Sequence, residues 1–217
     1  MNNILETFNS WLLTPAFEAF GTPTTWLEII GFLTGIICVY GVVIQKIWNY
    51  YWAVLNAGSW ALLFWGYGLY MDGILQLAFI ALSVYGWWKW TYGGNKGKDT
   101  LPVVKTNNKQ WLVLGTLTLL ATALVATFSH WFQTTVFETV QTTFILDASI
   151  LTFSLLATFM QARKMFESWW VWIAIDVVSI PLYIYKGLTL TALVYIIFLA
   201  LCIKGLIAWR KELKQEA

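Results

Sequence analysis

"WWVWIAIDVVSIPLYIYK", Trp169–Lys186, decides what kind of protein this is. Only Asp176 and Lys186 carry charge in its eighteen residues. At 1.5 Å per residue a helix of this length reaches about 27 Å, close to the roughly 30 Å hydrocarbon thickness of a bilayer. The stretch reads as a membrane-spanning helix with one carboxylate near its middle. An Asp at that depth costs about 2.5–3.5 kcal/mol on insertion scales, so it marks a functional position by default.

The rest of the chain agrees. Of 217 residues, 59% are hydrophobic and 11% charged, with a mean hydropathy of +0.66. Soluble domains run at about 45–50% apolar and about 25% charged residues. The composition implies an integral membrane protein made almost entirely of spanning segments. No charge run offers a nucleic-acid surface. Walker, dinucleotide, HExxH, CxxC and serine-elbow signatures are all missing, which argues against an enzyme or an ATP-driven pump. Cys38 and Cys202 sit in apolar runs and read as small core residues. His130 has no partner at metal-ligand spacing, so neither metal nor cofactor is expected.

Measured against the same ruler, the sequence holds seven spans, at about residues 28–45, 48–67, 73–90, 111–131, 145–162, 169–186 and 190–209. Residues 1–25 are amphipathic and too polar to cross; they read as an interfacial helix broken near Pro15. No Lys or Arg precedes Lys46, so a cleavable signal peptide is not expected. Residues 91–110 form a polar linker rich in Gly, Asn and Lys, and 210–217 a charged tail. Twelve of the thirteen Lys and Arg residues fall on one side of this layout, Lys186 alone on the other. By the positive-inside tendency the N-terminus lies outside and the C-terminus in the cytoplasm.

A repeat runs beneath the spans. Offset by 120 residues, Trp52 meets Trp172, Asn56 meets Asp176 and Ser59 meets Ser179. Offset by 119, Gly68 meets Gly187, Phe79 meets Phe198, Gly86 meets Gly205 and Trp90 meets Trp209. The expected fold class is therefore all-α and integral to the membrane: two parallel three-helix repeats, 26–90 and 145–209, joined by connector helix 111–131. Repeat-built transporters bind substrate near the midplane, where the repeats meet. Trp169, Trp172, Asp176 and Tyr183 share one helical face, with Ser179 beside them; Trp52, Asn56 and Ser59 share another. Indole faces and a buried carboxylate together suit a flat cation, and Asn, Ser and Tyr add neutral hydrogen bonds. Gln76 and Tyr195 occupy matching places in spans 3 and 7 and are candidates for the same cavity. Gln45 and Gln161, at the cytoplasmic ends of spans 1 and 5, are gate candidates. Two competing readings stand beside these: Trp169 and Trp172 as part of an interfacial aromatic belt, and Asp176 as a helix-packing partner. Gly31 and Gly35 form a GxxxG pair that signals close helix packing.

Three stretches carry a family resemblance: "KIWNYYWAVLN" (46–56), "SVYGWWKW" (83–90) and "FESWWVWIAIDVVSIPLYIYKGLTLTALVY" (166–195). Over about residues 26–212 the chain resembles the bacterial Pnu vitamin transporter family, best known for PnuC-type nicotinamide riboside transporters. The resemblance implies a three-plus-one-plus-three helix fold related to SWEET proteins, a homotrimer, and facilitated diffusion. It also implies trapping of the vitamin by a cytosolic kinase, and a site built from Trp169, Trp172 and Asp176 with Trp52 and Asn56. Asp176 stands where some nicotinamide riboside carriers have Asn, which keeps thiamine open as the substrate. Proton-coupled symport through Asp176 is a further alternative.

Overall fold

The computed structural model describes residues 14–67, 70–94, 101–137 and 142–215. It opens with an antiparallel hairpin, β1 (Pro15–Ala19) and β2 (Thr22–Thr25). Seven α-helices follow: α1 Trp26–Val43, α2 Asn49–Gly66, α3 Tyr70–Tyr92, α4 Asn108–Phe132, α5 Phe144–Ala162, α6 Ser168–Tyr185 and α7 Thr189–Gln215. A π-helical turn, Gln133–Phe137, extends α4.

The expected interfacial helix over residues 1–25 is corrected beyond Pro15, where the chain is a hairpin; residues 1–13 lie outside the described residues. Phe20 and Gly21 both take positive φ, 53° and 78°. That pair of left-handed residues makes the kind of two-residue turn that matches strand twist. β2 runs straight into α1, where Thr25 and Glu28 form a capping box that satisfies two of the free N–H groups at the helix start.

Among the described residues, five helices are long and apolar enough to cross a membrane: α1, α4 with its π turn, α5, α6 and α7. At 18 and 23 residues, α2 and α3 have the length as well. Their apolar content is diluted by Asn49, Asn56 and Ser59 in α2, by Asp72 and Gln76 in α3, and by half-polar Trp and Tyr in both.

α1 packs on α2 and on α7, α2 on α3, α3 on α5, α5 on α6, and α6 on α7. α4 packs mainly on α5 and turns Leu112 and Leu124 outward, each more than 70% exposed. Such a face needs a hydrocarbon solvent.

The turns after α1 and α5 are built alike. Gln45 and Lys164 take left-handed φ of 54° and 50°. Lys46 N–H then donates to the Gly41 carbonyl and Met165 N–H to the Met160 carbonyl, both at 2.9 Å. The ends of α3 and α7 also mirror each other. Trp90 Nε1 donates to the Gln161 carbonyl and Trp209 Nε1 to the Val42 carbonyl, each at 3.3 Å. Gly86 and Gly205 each seat a ring: a Cβ on either would lie 2.4 Å from Tyr50 or from Trp169. Glycine is required there because the rings occupy the space of a methyl group.

Candidate substrate site in the helix bundle

α6 carries the chemistry into the bundle. Asp176 is 1% exposed and Ser179 is fully buried, one helical turn apart on the same face. Asp176 Oδ2 and Ser179 Oγ have no hydrogen-bond partner. Further along this face the Tyr183 ring meets Tyr195 of α7 at 5.0 Å, and Tyr195 meets Phe198 at 5.7 Å. Buried polar atoms are nearly always paired, because leaving one unpaired costs about 1–3 kcal/mol and more for a charged group. A carboxyl oxygen and a hydroxyl left open together make this face of α6 the candidate place for a polar ligand.

α1 and α2 approach this region from the other half. Asn56 donates to the Gly31 carbonyl at 2.6 Å and lies 3.4 Å from Thr34 Oγ1. A Cβ on Gly35 would stand 3.1 Å from Asn56 Nδ2 and 3.2 Å from Phe198 Cζ. The Gly31/Gly35 pair thus lets α1 come close to both α2 and α7, and places Asn56 on the same side as Phe198.

The remaining sequence candidates distribute unevenly. Trp172 is half-buried and donates from Nε1 to Gln161 Oε1 at 3.3 Å, tying the aromatic stripe of α6 to a gate candidate. Trp52 and Gln76 are half-buried on α2 and α3. Ser59 Oγ is spent on the Leu55 carbonyl of its own helix. Trp169 stands apart, fully buried edge-on to Trp209 at 5.3 Å and against Gly205. It belongs to a tryptophan core with Trp90 rather than to an aromatic belt facing lipid.

The 120-residue offset that paired Asn56 with Asp176 is corrected by the backbone. The left-handed residues Gln45 and Lys164, the starts of α2 and α6, and the ring-seating pairs all differ by 119. Counted that way, the counterpart of Asp176 is Ala57, which is also buried, and Asn56 lies one residue earlier. One residue turns a helix face by about 100°. This is why Asn56 bonds α1 while Asp176 faces α7.

Gln45 sits in a polar cluster that sequence reading missed. Lys164 is 2% exposed, donates from Nζ to Gln45 Oε1 at 2.5 Å and lies 4.6 Å from the Trp90 ring centroid. Gln45 Nε2 in turn donates to the Glu212 carboxylate. The cluster joins the turns after α1 and α5 to the end of α7. At the opposite end Lys186 pairs with Asp147 at 2.7 Å. No group of three or more His, Cys, Asp or Glu able to hold a metal occurs among the described residues.

Residues 25–211 match the nicotinamide mononucleotide transporter family. The chain belongs to that family. Its relatives are transporters, and this protein is a multi-pass membrane transporter rather than an enzyme. It is 25% identical to the nicotinamide riboside transporter PnuC of Escherichia coli, covering 90% of both chains. It is 27% identical to the riboflavin/roseoflavin transporter RibM of Streptomyces davaonensis, covering 92% of both. A crystal structure of the vitamin B3 transporter PnuC shares the fold, with a TM-score of 0.66 at 23% identity over 88% of this chain and 83% of that one.

Proposed function

We propose that this protein takes up a cationic vitamin, nicotinamide riboside first among candidates, across the bacterial inner membrane by facilitated diffusion. The observation that carries this reading is the fully buried Asp176 with one open carboxylate oxygen beside the open Ser179 hydroxyl. A pyridinium ring supplies the missing charge, and the ribose hydroxyls supply donors for the open oxygens. Trp172, Tyr183, Tyr195 and Phe198 offer ring faces around it, and Asn56 a neutral amide from the other half. Trp52, Gln76 and Ser59 complete the proposed lining, and Trp169 supports it from behind.

In this proposal helices α1–α3 and α5–α7 are parallel repeats, with α4 as connector. Support comes from reciprocity. The first helix of each triplet packs on the last helix of the other, α1 on α7 and α5 on α3, as a twofold axis along the membrane normal requires. The crossed bonds Trp90–Gln161 and Trp209–Val42 follow the same rule. Gln45 and Gln161 act as gate residues at the lysine-rich end, which the charge distribution assigns to the cytoplasm. Family resemblance adds a homotrimer and a cytosolic kinase that removes the product and keeps entry downhill.

The second reading is thiamine on the same machine, since its thiazolium also suits a carboxylate. The relative RibM brings riboflavin into the comparison, but an uncharged ring leaves Asp176 uncompensated. Uptake into liposomes of labelled nicotinamide riboside, thiamine and riboflavin separates these readings. Saturable uptake of the first supports the proposal; uptake of none refutes it. Accumulation above the external level that disappears with the proton gradient would favour symport through Asp176.

A further inference from the structure

A cleft of about 460 Å³ lies on the lysine-rich end, outside the bundle interior, between the start of α6 and the last turns of α7. Lys105, Arg210 and Lys214 line it, and no acidic residue does. The rest of its wall is apolar: Phe166, Trp170, Leu206 and Leu213. Trp170 is 53% exposed, and Ile203 and Ile207 of α7 are exposed as well.

The cationic side is held in place. Lys105 sits in an extended segment stitched to the α5–α6 turn, with Val104 N–H donating to the Lys164 carbonyl and Phe166 N–H donating to the Val104 carbonyl. The next residue, Thr106, donates from both N–H and Oγ1 to Glu167 at 2.8 and 2.7 Å. Glu167 is thereby held against Thr106 and is not part of the cleft lining. Glu212, on the same stretch of α7, is held by Gln45. Arg210 and Lys214 are four residues apart and therefore project from one face of α7.

We propose that this cleft binds an anionic phospholipid, its phosphate held by Lys105, Arg210 and Lys214 and one acyl chain lying over Leu206, Phe166 and Trp170. Three cations with no acid in the lining fit a phosphodiester, and the apolar remainder of the wall, with Trp170 half-exposed, fits a tail. Basic pockets between helices at a membrane surface commonly take lipid headgroups. The inference rests on the membrane class of the protein and is independent of which vitamin is carried.

The test is native mass spectrometry of detergent-purified protein mixed with phosphatidylglycerol or phosphatidylcholine. Wild type is expected to retain phosphatidylglycerol selectively. Arg210→Gln should weaken retention about fivefold, as one cation near an anionic headgroup implies, and the triple variant Lys105→Gln/Arg210→Gln/Lys214→Gln should abolish selectivity. All three side chains lie on the surface, and an unchanged unfolding temperature confirms that the variants fold. Equal retention of both lipids by wild type, or unaltered selectivity in the triple variant, overturns the proposal. A third arm adds excess glycerol 3-phosphate. Failure to displace the lipid supports the tail-bearing ligand, and full displacement reassigns the cleft to soluble phosphoesters and also overturns it.

Discussion

Replacing Asp176 by Asn keeps the shape of the side chain and removes its charge, so two opposite effects are expected from one change. The first concerns binding. A cation about 4 Å from a carboxylate gains about 4 kcal/mol at an effective dielectric constant near 20. Stripping water from the cation offsets about half, leaving about 2 kcal/mol, or roughly 30-fold in affinity. Nicotinamide riboside should therefore bind about 30-fold more weakly to the variant by titration calorimetry. The reduced form of the same molecule, whose dihydropyridine ring is uncharged, should bind wild type and variant alike. The second effect concerns the empty protein, in which Asp176 Oδ2 has no partner. Exchanging a buried carboxyl group with an unpartnered oxygen for a neutral amide should raise the unfolding temperature of the ligand-free protein by several degrees, at about 2–4 °C per kcal/mol for a chain of this size. Gain of stability with loss of charge selectivity is the mark of a residue kept for binding. The reasoning fails if both ring forms lose affinity equally, or if the variant is less stable than wild type.

Gly205→Ala and Gly86→Ala each drive a methyl group to 2.4 Å from an indole or phenol ring. Overpacking of this kind costs about 1–3 kcal/mol, and thermal unfolding should show the loss in each variant. Lys164→Ala removes the bond to Gln45 and the contact over Trp90, which loosens the lysine-rich end. In a Cys38→Ala background a membrane-impermeant maleimide should then modify Cys202 about tenfold faster, as the loss of about 1.4 kcal/mol of closure implies. Asp147→Asn breaks the pair with Lys186, which is partly exposed on both sides. Such pairs contribute under about 1 kcal/mol, so the unfolding temperature should move by no more than about 4 °C.

Hydropathy and length made the spans legible. The expected 145–162 and 169–186 segments correspond to α5 at Phe144–Ala162 and α6 at Ser168–Tyr185, because a bilayer imposes one length on every crossing. Asp176 was legible for the complementary reason: charge is so costly at that depth that a single carboxylate stands out. The facing of Asn56 was not legible. Side-chain identity favoured a 120-residue offset through Trp52 and Trp172, whereas turns and ring-seating glycines obey 119, and a one-residue slip rotates a helix past its neighbour. The turns themselves gave no signal, since Gln45 and Lys164 adopt a left-handed conformation that usually announces itself through Gly or Asn. In the hairpin turn only Gly21 is of the residue type that favours a left-handed conformation. Lys164 and Glu212 read as two more charges on a solvated surface; only the fold brings them to Gln45.

The crossed indole bonds have a kinetic consequence. Parting the lysine-rich end breaks Trp90–Gln161 and Trp209–Val42 together, along with the Lys164–Gln45–Glu212 chain. At about 1 kcal/mol for each of these four bonds, the empty carrier opens that end in roughly one molecule per thousand. The opposite mouth has the Asp147–Lys186 pair, a weak surface contact. In the proposed carrier, the unloaded protein would thus wait with the candidate site turned away from the lysine-rich side. If transport is the proposed facilitated diffusion, such a bias cannot alter the final distribution of substrate. It sets the two half-saturation concentrations apart, low at the waiting face and high at the other, so that scarce vitamin is captured efficiently while release stays fast.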